Sequence, residues 1–275
     1  MKVDLISDLH IDHWDLRIKC DHPCGERKSY PFFDVTDIKP GSEVLIIAGD
    51  ISDDIDISID FMNQMCQYYK MVMYVEGNHE HIEKYPQLYT KEEIAKKIEE
   101  KGNKKIIYLP QTSVIWRNTL FIGCCGWWDY CNNSKQLDYF NSTDIVIGED
   151  QIENFHQNVK KRAQEEAVSL LEKLEKYKNN NQIKQIIVVT HTVPINIFLD
   201  KDLTDSKYNS CMEEIKENDK INYWLFGHTH EELTKQDIRK ITYITNPRGR
   251  PSDYDRQKFN IKTIKIEKFR KNIFS

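Results

Sequence analysis

The stretch from Met71 to Glu80 constrains the fold of this chain more than any other feature. Its first half, Met71 to Val75, is apolar and predicts a buried strand. Gly77 breaks that strand, and Asn78, His79 and Glu80 follow at its carboxyl end. Ligands and catalytic groups in open α/β sheets collect at the carboxyl ends of strands. Taken alone, the stretch is equally compatible with a strand that leaves the core through a polar turn.

The same arrangement occurs four more times along the chain. In each case a short apolar run, typical of a strand, ends in Asp or His. The four runs and their polar ends are Val3–Ile6 with Asp8 and His10, Val44–Ala48 with Asp50, Ile186–Val189 with His191, and Tyr223–Phe226 with His228 and His230. If these strand ends share one edge, their polar groups converge on one site.

The segments between the strands predict an α/β protein. Ile55 to Tyr69 has apolar residues at helical spacing and would cross over to the next strand in a parallel βαβ unit. Thr90 and Glu93 form a capping-box pattern before a helix over residues 91–101. The remaining predictions are a long helix over Gln151–Tyr177 and strands at Ile106–Leu109, Leu120–Gly123, Ile241–Thr245 and 259–269. No repeat or linker divides the chain, so we expect residues 1–275 to form a single domain.

Composition narrows the classes of function. The 39% of hydrophobic residues suffices for a core, and the net charge of -5 argues against a large basic surface for duplex nucleic acid. No apolar run approaches the roughly 18 residues that a membrane span needs. The chain enters a strand at once, without a signal-peptide pattern, and its seven cysteines suit reduced thiols, so we expect a cytoplasmic protein. Cys20, His22 and Cys24 could form a small metal site, but an ordinary loop is the favoured interpretation.

The polar strand ends offer two Asp, one Asn and four His as metal ligands, with His79 and Glu80 left over. Imidazoles and carboxylates suit Mn, Fe, Zn or Ni better than Mg or Ca. The ligands are too many for one tetrahedral zinc and enough for two ions about 3.5–4 Å apart. Glycines at 49, 77 and 227 fit sharp turns close to such a site.

The order Asp8-x-His10, Gly49-Asp50, Gly77-Asn78-His79-Glu80, His191 and Gly227-His228-x-His230 resembles the calcineurin-like metallophosphoesterase superfamily, in its small bacterial and phage-type members. The resemblance covers most of the chain and implies a four-layer α/β/β/α sandwich of two mixed sheets with a dinuclear metal centre at the carboxyl ends of the strands. It departs from the common pattern at Ile11, where many members have Gly, and at Glu80, where Asp is more frequent.

The resemblance also implies roles for the residues. One metal would be held by Asp8, His10, Asp50 and His230, and the second by Asp50, Asn78, His191 and His228, with Asp50 bridging. A hydroxide activated by the two ions would attack a phosphate ester, with Mn as the expected metal and Fe, Zn or Ni as alternatives. His79 would act on the leaving group. Glu80 could orient His79 or simply face solvent, and the sequence favours neither.

Two further groups of residues each allow a functional and a structural interpretation. Trp127, Trp128 and Tyr130 could stack on a nucleobase or another planar group, and the stretch 126–140 could form a wall of the cleft. The favoured interpretation is that one tryptophan is core and the other covers a loop. Arg248 and Arg250 could bind a substrate phosphate, although a solvated basic turn is favoured.

The sequence therefore predicts an enzyme, a dinuclear metal-dependent phosphoesterase whose partner is a phosphate-ester substrate. A nuclease of the same superfamily is the first alternative, and it would need a basic or aromatic track to the site. The second is a non-catalytic metal-binding scaffold of the same fold, which would be expected to lack His79 or some ligands, whereas here all are present. The sequence does not determine the substrate, the preference for monoesters or diesters, the native metals or the oligomeric state.

Overall fold

The computed structural model describes residues 1–14, 39–84, 88–129, 152–195, 208–251, 253 and 259–267. The possible Cys20–His22–Cys24 site and residues 130–140 of the suggested cleft wall lie outside the described residues. Across the described ranges, no helix is both long enough and apolar enough to cross a membrane.

Within the described residues the chain forms eleven strands and three α-helices. In chain order these are β1 (Lys2–Ile6), β2 (Val44–Ala48), α1 (Ile55–Met65), β3 (Met71–Val75), α2 (Lys91–Lys101), β4 (Ile106–Tyr108), β5 (Val114–Trp116), β6 (Thr119–Cys124), α3 (Ile152–Tyr177), β7 (Gln185–Thr190), β8 (Ile221–Phe226), β9 (Thr234–Gln236), β10 (Thr242–Thr245) and β11 (Lys262–Lys265). Short 3-10 segments cover Ile11–Trp14, His79–Lys84 and Ser210–Glu217.

The strands form two mixed sheets. The first has the order β11-β1-β2-β3-β4, and only β11 runs antiparallel to its neighbour. The second has the order β5-β6-β7-β8-β10-β9, with a parallel centre and antiparallel strands β5 and β9 at its two edges. The parallel strands of each sheet therefore end at a common edge.

Three apolar clusters divide the protein into layers. Leu5 and Ile46 of the first sheet pack with Phe121, Val189 and Leu225 of the second, so the two sheets face each other across a shared core. A second cluster joins α1 and α2 to the outer face of the first sheet, and a third joins α3 to the outer face of the second. The layers run helix, sheet, sheet, helix, which confirms the predicted α/β/β/α sandwich of two mixed sheets.

The predicted helix over 91–101 is confirmed as α2, and both halves of its capping box form. The Thr90 hydroxyl accepts from the Glu93 N–H at 3.1 Å, and the Glu93 carboxylate accepts from the Thr90 N–H at 2.9 Å. The prediction for α1 was too long: this helix ends at Met65, and the chain turns before Tyr69, whose ring is still buried. The apolar spacing correctly marked buried residues, but residues of a turn after a helix can be buried as well. The spacing therefore did not show where the helix ends.

Candidate metal centre

The five predicted strand ends converge where the two sheets meet. The first sheet contributes the turns after β1, β2 and β3, and the second contributes those after β7 and β8. The predicted metal ligands on these turns are nine-tenths buried or more except on the turn after β8, where His228 and His230 are partly exposed. The structure thus brings together Asp8, His10, Asp50, Asn78, His191, His228 and His230.

One cluster of metal-binding atoms consists of Asp8, His10 and His230. The Nε2 atoms of His10 and His230 lie 3.0 Å apart, and His230 Nε2 lies 3.7 Å from Asp8 Oδ1. Asp8 also accepts the N–H of His228 at 2.8 Å, which fixes the carboxylate against the second sheet. The three side chains come from both sheets and point at one volume.

The second cluster consists of Asp50, His191 and His228. His191 Nε2 lies 3.2 Å from Asp50 Oδ2 and 3.1 Å from His228 Nδ1. Asn78 Oδ1 lies 3.1 Å from the same His191 nitrogen. The other His191 nitrogen, Nδ1, lies 2.9 Å from the carbonyl of Ala48, so that a proton on Nδ1 leaves Nε2 free to bind a cation.

Asp50 lies between the clusters. Its Oδ2 is 3.8 Å from His10 Nε2 in the first cluster and 3.2 Å from His191 Nε2 in the second. Burial by itself raises the pKa of Asp50, but the nearby His191 and His79 rings outweigh it and hold the pKa well below its usual range. Asp50 is therefore ionised and within reach of both groups of nitrogens.

The donor atoms fit divalent metal ions. Two pairs of histidines, His10–His230 and His191–His228, have ring nitrogens 3.0–3.1 Å apart. Ring nitrogens this close must share a proton or face a common cation. Burial and the neighbouring His79 lower the pKa of His10 well below its usual value, so its imidazole is neutral and able to ligate. Imidazole nitrogens with carboxylate and amide oxygens suit first-row transition metals.

His191 shows how metal and proton would compete. Burial lowers its pKa, but the carboxylate of Asp50 outweighs burial and raises the pKa to about 9. A cation that binds His191 Nε2 must therefore displace a proton from the ring near neutral pH.

Tight turns set the direction of five of the predicted ligand side chains. Asp8, His10, Asp50, His228 and His230 all have positive φ, between 43° and 70°. This left-handed conformation costs a non-glycine residue about 1 kcal/mol or more and reverses the chain directly after each strand. Such strain is typical of functional sites.

Gly77 is required by close packing against Asp50. A Cβ at this position would lie 2.0 Å from Asp50 Oδ1 and 2.6 Å from the Asp50 nitrogen. No side chain fits there without moving the carboxylate. The expectation that this glycine allows close approach to the site is confirmed.

Glu80 fits neither interpretation offered by the sequence. It is fully buried, and its carboxylate accepts the N–H groups of Gly77 at 2.7 Å, Asp50 at 3.1 Å and Ile51 at 2.6 Å. Its side chain thus ties the turn after β3 to the turn after β2. Both the orientation of His79 by Glu80 and a solvent-facing Glu80 are wrong, because unpaired N–H groups in the two turns need an acceptor.

His79 is instead held by Asp53, which the sequence reasoning missed. His79 Nδ1 lies 2.5 Å from Asp53 Oδ1, and the His79 N–H donates to Asp50 Oδ1 at 3.0 Å. Burial raises the pKa of Asp53, but His13 and His79 outweigh it and lower the pKa below its usual range. The signal was present: Asp53 lies three residues after Asp50, in the same turn.

The loop after β10 reaches the site, which the sequence did not favour. Arg250 Nη2 lies 2.9 Å from His79 Nε2, and Asp253 Oδ2 lies 2.7 Å from His230 Nδ1. Arg248 is buried, with its guanidinium 4.0 Å from the ring centre of Trp14. The interpretation of this segment as a solvated basic turn is wrong, because its backbone and side chains pack onto the site.

Both tryptophans after β6 are core residues. Trp127 and Trp128 have no exposed surface. The Trp128 ring stacks on His228 with centroids 5.5 Å apart and planes inclined by 18°, and the Trp127 ring lies 5.0 Å from His81. The interpretation that one of them merely covers a loop is wrong, and Trp128 supports a predicted metal ligand from behind.

Comparisons with known proteins agree with this geometry. The sequence profile of the calcineurin-like phosphoesterases matches residues 1–232. No curated protein sequence matches the chain. The fold is similar to that of phosphopantetheinyl hydrolase from Mycobacterium tuberculosis, at 14% identity and a TM-score of 0.65 over 96% of this chain and 95% of that one. It is also similar to that of a dimetal phosphatase from Danio rerio, at 14% identity and a TM-score of 0.55 over 96% and 91% of the two chains. With clustered histidines and carboxylates at the strand ends and a profile match over most of its length, the chain belongs to the calcineurin-like phosphoesterase family.

Proposed function

We propose that this protein hydrolyses phosphate esters with two divalent metal ions, Mn²⁺ foremost, and that residues 1–275 act as one cytoplasmic catalytic domain. The observation that carries the proposal is the position of Asp50, whose Oδ2 lies 3.8 Å from a nitrogen of one ligand cluster and 3.2 Å from a nitrogen of the other. A carboxylate so placed can be shared by two ions.

The ligand sets follow the two clusters. Asp8, His10, Asp50 and His230 would hold one ion, and Asp50, Asn78, His191 and His228 the other. Each set combines side chains from both sheets, so the sandwich itself sets the spacing of the ions. When bound, such ions supply an acidified water and neutralise charge on the phosphate oxygens.

The remaining chemistry belongs to His79. Its Nδ1 faces Asp53 and its Nε2 lies 3.8 Å from Asp50 Oδ2, so Nε2 is the atom that points into the site. Asp53 holds a proton on Nδ1 and stabilises the charged ring, as a carboxylate does for a general acid. Arg250 Nη2, a donor, lies 2.9 Å from Nε2, so His79 would carry a proton at Nε2 for the leaving oxygen once Arg250 has turned away from the ring.

The experiment is hydrolysis of a panel of phosphate monoesters and diesters by protein stripped with a chelator and then reloaded with Mn²⁺. We expect activity only in the reloaded protein. Asp50→Asn and His191→Ala should each remove most of it and weaken metal binding, because a bridging carboxylate has no neutral substitute. Asp60→Asn, on the exposed face of α1, is the matched control and should keep full activity. No metal-dependent hydrolysis of any ester, or near wild-type rates with full metal in Asp50→Asn, would reject the proposal.

A further inference from the structure

The loop that follows β10, described at residues 246–251 and 253, is built into the site although it follows the family-matched region, which ends at residue 232. Its backbone is tied to the turn after β1 on the opposite sheet. Ser7 N–H donates to Asn246 O at 3.1 Å, Arg248 N–H donates to Ser7 O at 3.0 Å, and Gly249 N–H donates to Asp8 O at 2.8 Å. The loop therefore has a fixed position beside Asp8.

Two anchors orient the side chains of this loop. Arg248 packs inward over Trp14, whose indole N–H donates to the Gly249 carbonyl at 3.1 Å. Asp253 accepts the Arg250 N–H at 2.6 Å while its Oδ2 lies 2.7 Å from His230 Nδ1. With its neighbours fixed, Arg250 extends across the site to His79, where Nη2 lies 2.9 Å from Nε2.

We propose that Arg250 binds a terminal oxygen of the substrate phosphate and thereby makes this protein selective for phosphate monoesters. This rests on the proposed function and names its substrate class. A monoester has three terminal oxygens and a diester has two. If each metal ion takes one oxygen, only a monoester keeps a further charged oxygen for a guanidinium, which forms strong charge-assisted hydrogen bonds with phosphate.

The contact with His79 marks the place where that oxygen would bind. His79 Nε2 points into the site and accepts from Arg250 in the substrate-free protein. An anionic oxygen is a stronger acceptor than a neutral ring nitrogen, so the guanidinium would exchange the ring for the phosphate. The exchange would also free Nε2 to face the leaving oxygen.

The test compares Arg250→Gln and Arg250→Lys with wild type, all loaded with Mn²⁺, on p-nitrophenyl phosphate and bis-p-nitrophenyl phosphate. We expect Arg250→Gln to lower kcat/KM for the monoester about 10- to 100-fold, the worth of one charge-assisted hydrogen bond, and to change the diester less than about 3-fold. Arg250→Lys should retain part of the monoester rate. Arg239→Gln is the matched control, since Arg239 is exposed and pairs with Glu217 away from the site.

Binding provides a readout that needs no turnover. Calorimetry with inorganic phosphate should show the same 10- to 100-fold loss in Arg250→Gln, and dimethyl phosphate should bind both proteins equally. Equal losses on both esters would overturn the proposal and mean that Arg250 acts through His79. Unchanged phosphate affinity would overturn it as well. If wild type hydrolyses neither ester, the proposed function fails, while phosphate binding still decides the role of Arg250.

Discussion

The three nitrogen atoms of His79 are all engaged, two by the turn after β2 and one by the loop after β10. The Asp53 carboxylate lies 2.5 Å from Nδ1, Asp50 accepts the N–H, and Arg250 lies 2.9 Å from Nε2. Although burial lowers the pKa of His79, the carboxylates of Asp50 and Asp53 outweigh burial and raise it. Neighbouring side chains engage both ring nitrogens, in line with the proposed role of His79 at the leaving group.

The substrate dependence of a His79→Ala variant tests this role. A leaving group of high pKa needs a proton more than one of low pKa, so the variant should lose about 10²–10⁴-fold with an alkyl phosphate and much less with p-nitrophenyl phosphate. His79→Asn, which keeps a hydrogen-bond donor but has no group that ionises near neutral pH, should behave like His79→Ala. Metal analysis should still give two ions per chain. Equal losses on both substrates, or loss of an ion, would assign His79 a different role.

Residue type and spacing were enough to predict that seven polar side chains come together, because each lies within four residues of the end of an apolar strand run. Glu80, Asp53 and Asp253 show where that reasoning stops. Each makes a contact across 20 to 30 residues, as in Asp50–Glu80, His79–Asp53 and His230–Asp253, and such contacts depend on how separate turns pack together. Charge alone does not reveal which carboxylate turns inward to satisfy backbone N–H groups.

At the scale of elements, α3 supports the turn that carries the two tryptophans. Its Glu166 is buried and accepts the Gly126 N–H at 2.5 Å. Burial and, to a smaller extent, the nearby Glu76 raise the pKa of Glu166 to about 8, although Gly126, Lys91 and Arg162 oppose the shift. The folded protein therefore holds a proton on Glu166 near neutral pH, whereas the unfolded chain releases it near pH 4.5.

The raised pKa of Glu166 predicts how Glu166→Gln changes the pH dependence of the free energy of unfolding. Because the folded pKa is raised, the contribution of wild-type Glu166 is complete below the unfolded pKa and is lost as pH rises towards 8. Glutamine keeps the acceptor for Gly126 without titrating. From roughly pH 5 to pH 8 the free energy of unfolding of wild type should fall relative to the variant, by at most about 1.4 kcal/mol per pH unit.

Urea unfolding at several pH values measures that difference. Glu165→Gln, at the neighbouring exposed position of α3, is the control and should follow wild type at every pH. A constant difference between wild type and Glu166→Gln across the range would show that Glu166 is ionised in the folded protein.

Element prediction succeeded for the buried strands and missed the two edge strands of the second sheet. β2 and β3 lie at the predicted positions, since both are continuous apolar runs in the middle of a sheet. β5 and β9 were not predicted. β5 is an apolar run of only three residues, too short to indicate a strand, and β9 has three exposed side chains and no apolar residue. Each of these strands is held in place by pairing with its neighbour, β5 with β6 and β9 with β10.

At the scale of the whole molecule, the candidate metal centre joins the two sheets. Asp8, His10, Asp50 and Asn78 come from the first sheet, and His191, His228 and His230 come from the second. Each proposed ion would therefore cross-link the sandwich at one end. Ligands that bind only the folded state stabilise it by mass action.

Removal of metal should consequently lower the melting temperature. An ion at 100 times its Kd contributes about 2.7 kcal/mol, and a protein of this size shifts by about 2–4 °C per kcal/mol, so two ions should raise the Tm by about 10–20 °C. Calorimetry of chelator-treated and Mn-reloaded protein, with metal analysis of both, is the measurement. Asp50→Asn should show a much smaller rise. A count of one ion or none in the folded, reloaded protein would contradict the dinuclear assignment.

The position of the loop after β10 has a consequence for how related proteins could diverge in substrate selectivity. The side chains proposed to bind metal all lie within the family-matched residues, whereas Arg250 is held on a later loop whose anchors are mostly backbone hydrogen bonds. Backbone anchors tolerate a change of side chain. Exchange of one residue on this loop could therefore alter which esters are hydrolysed without changing the residues proposed to bind metal. The loop is thus the natural target for directed evolution of new selectivity.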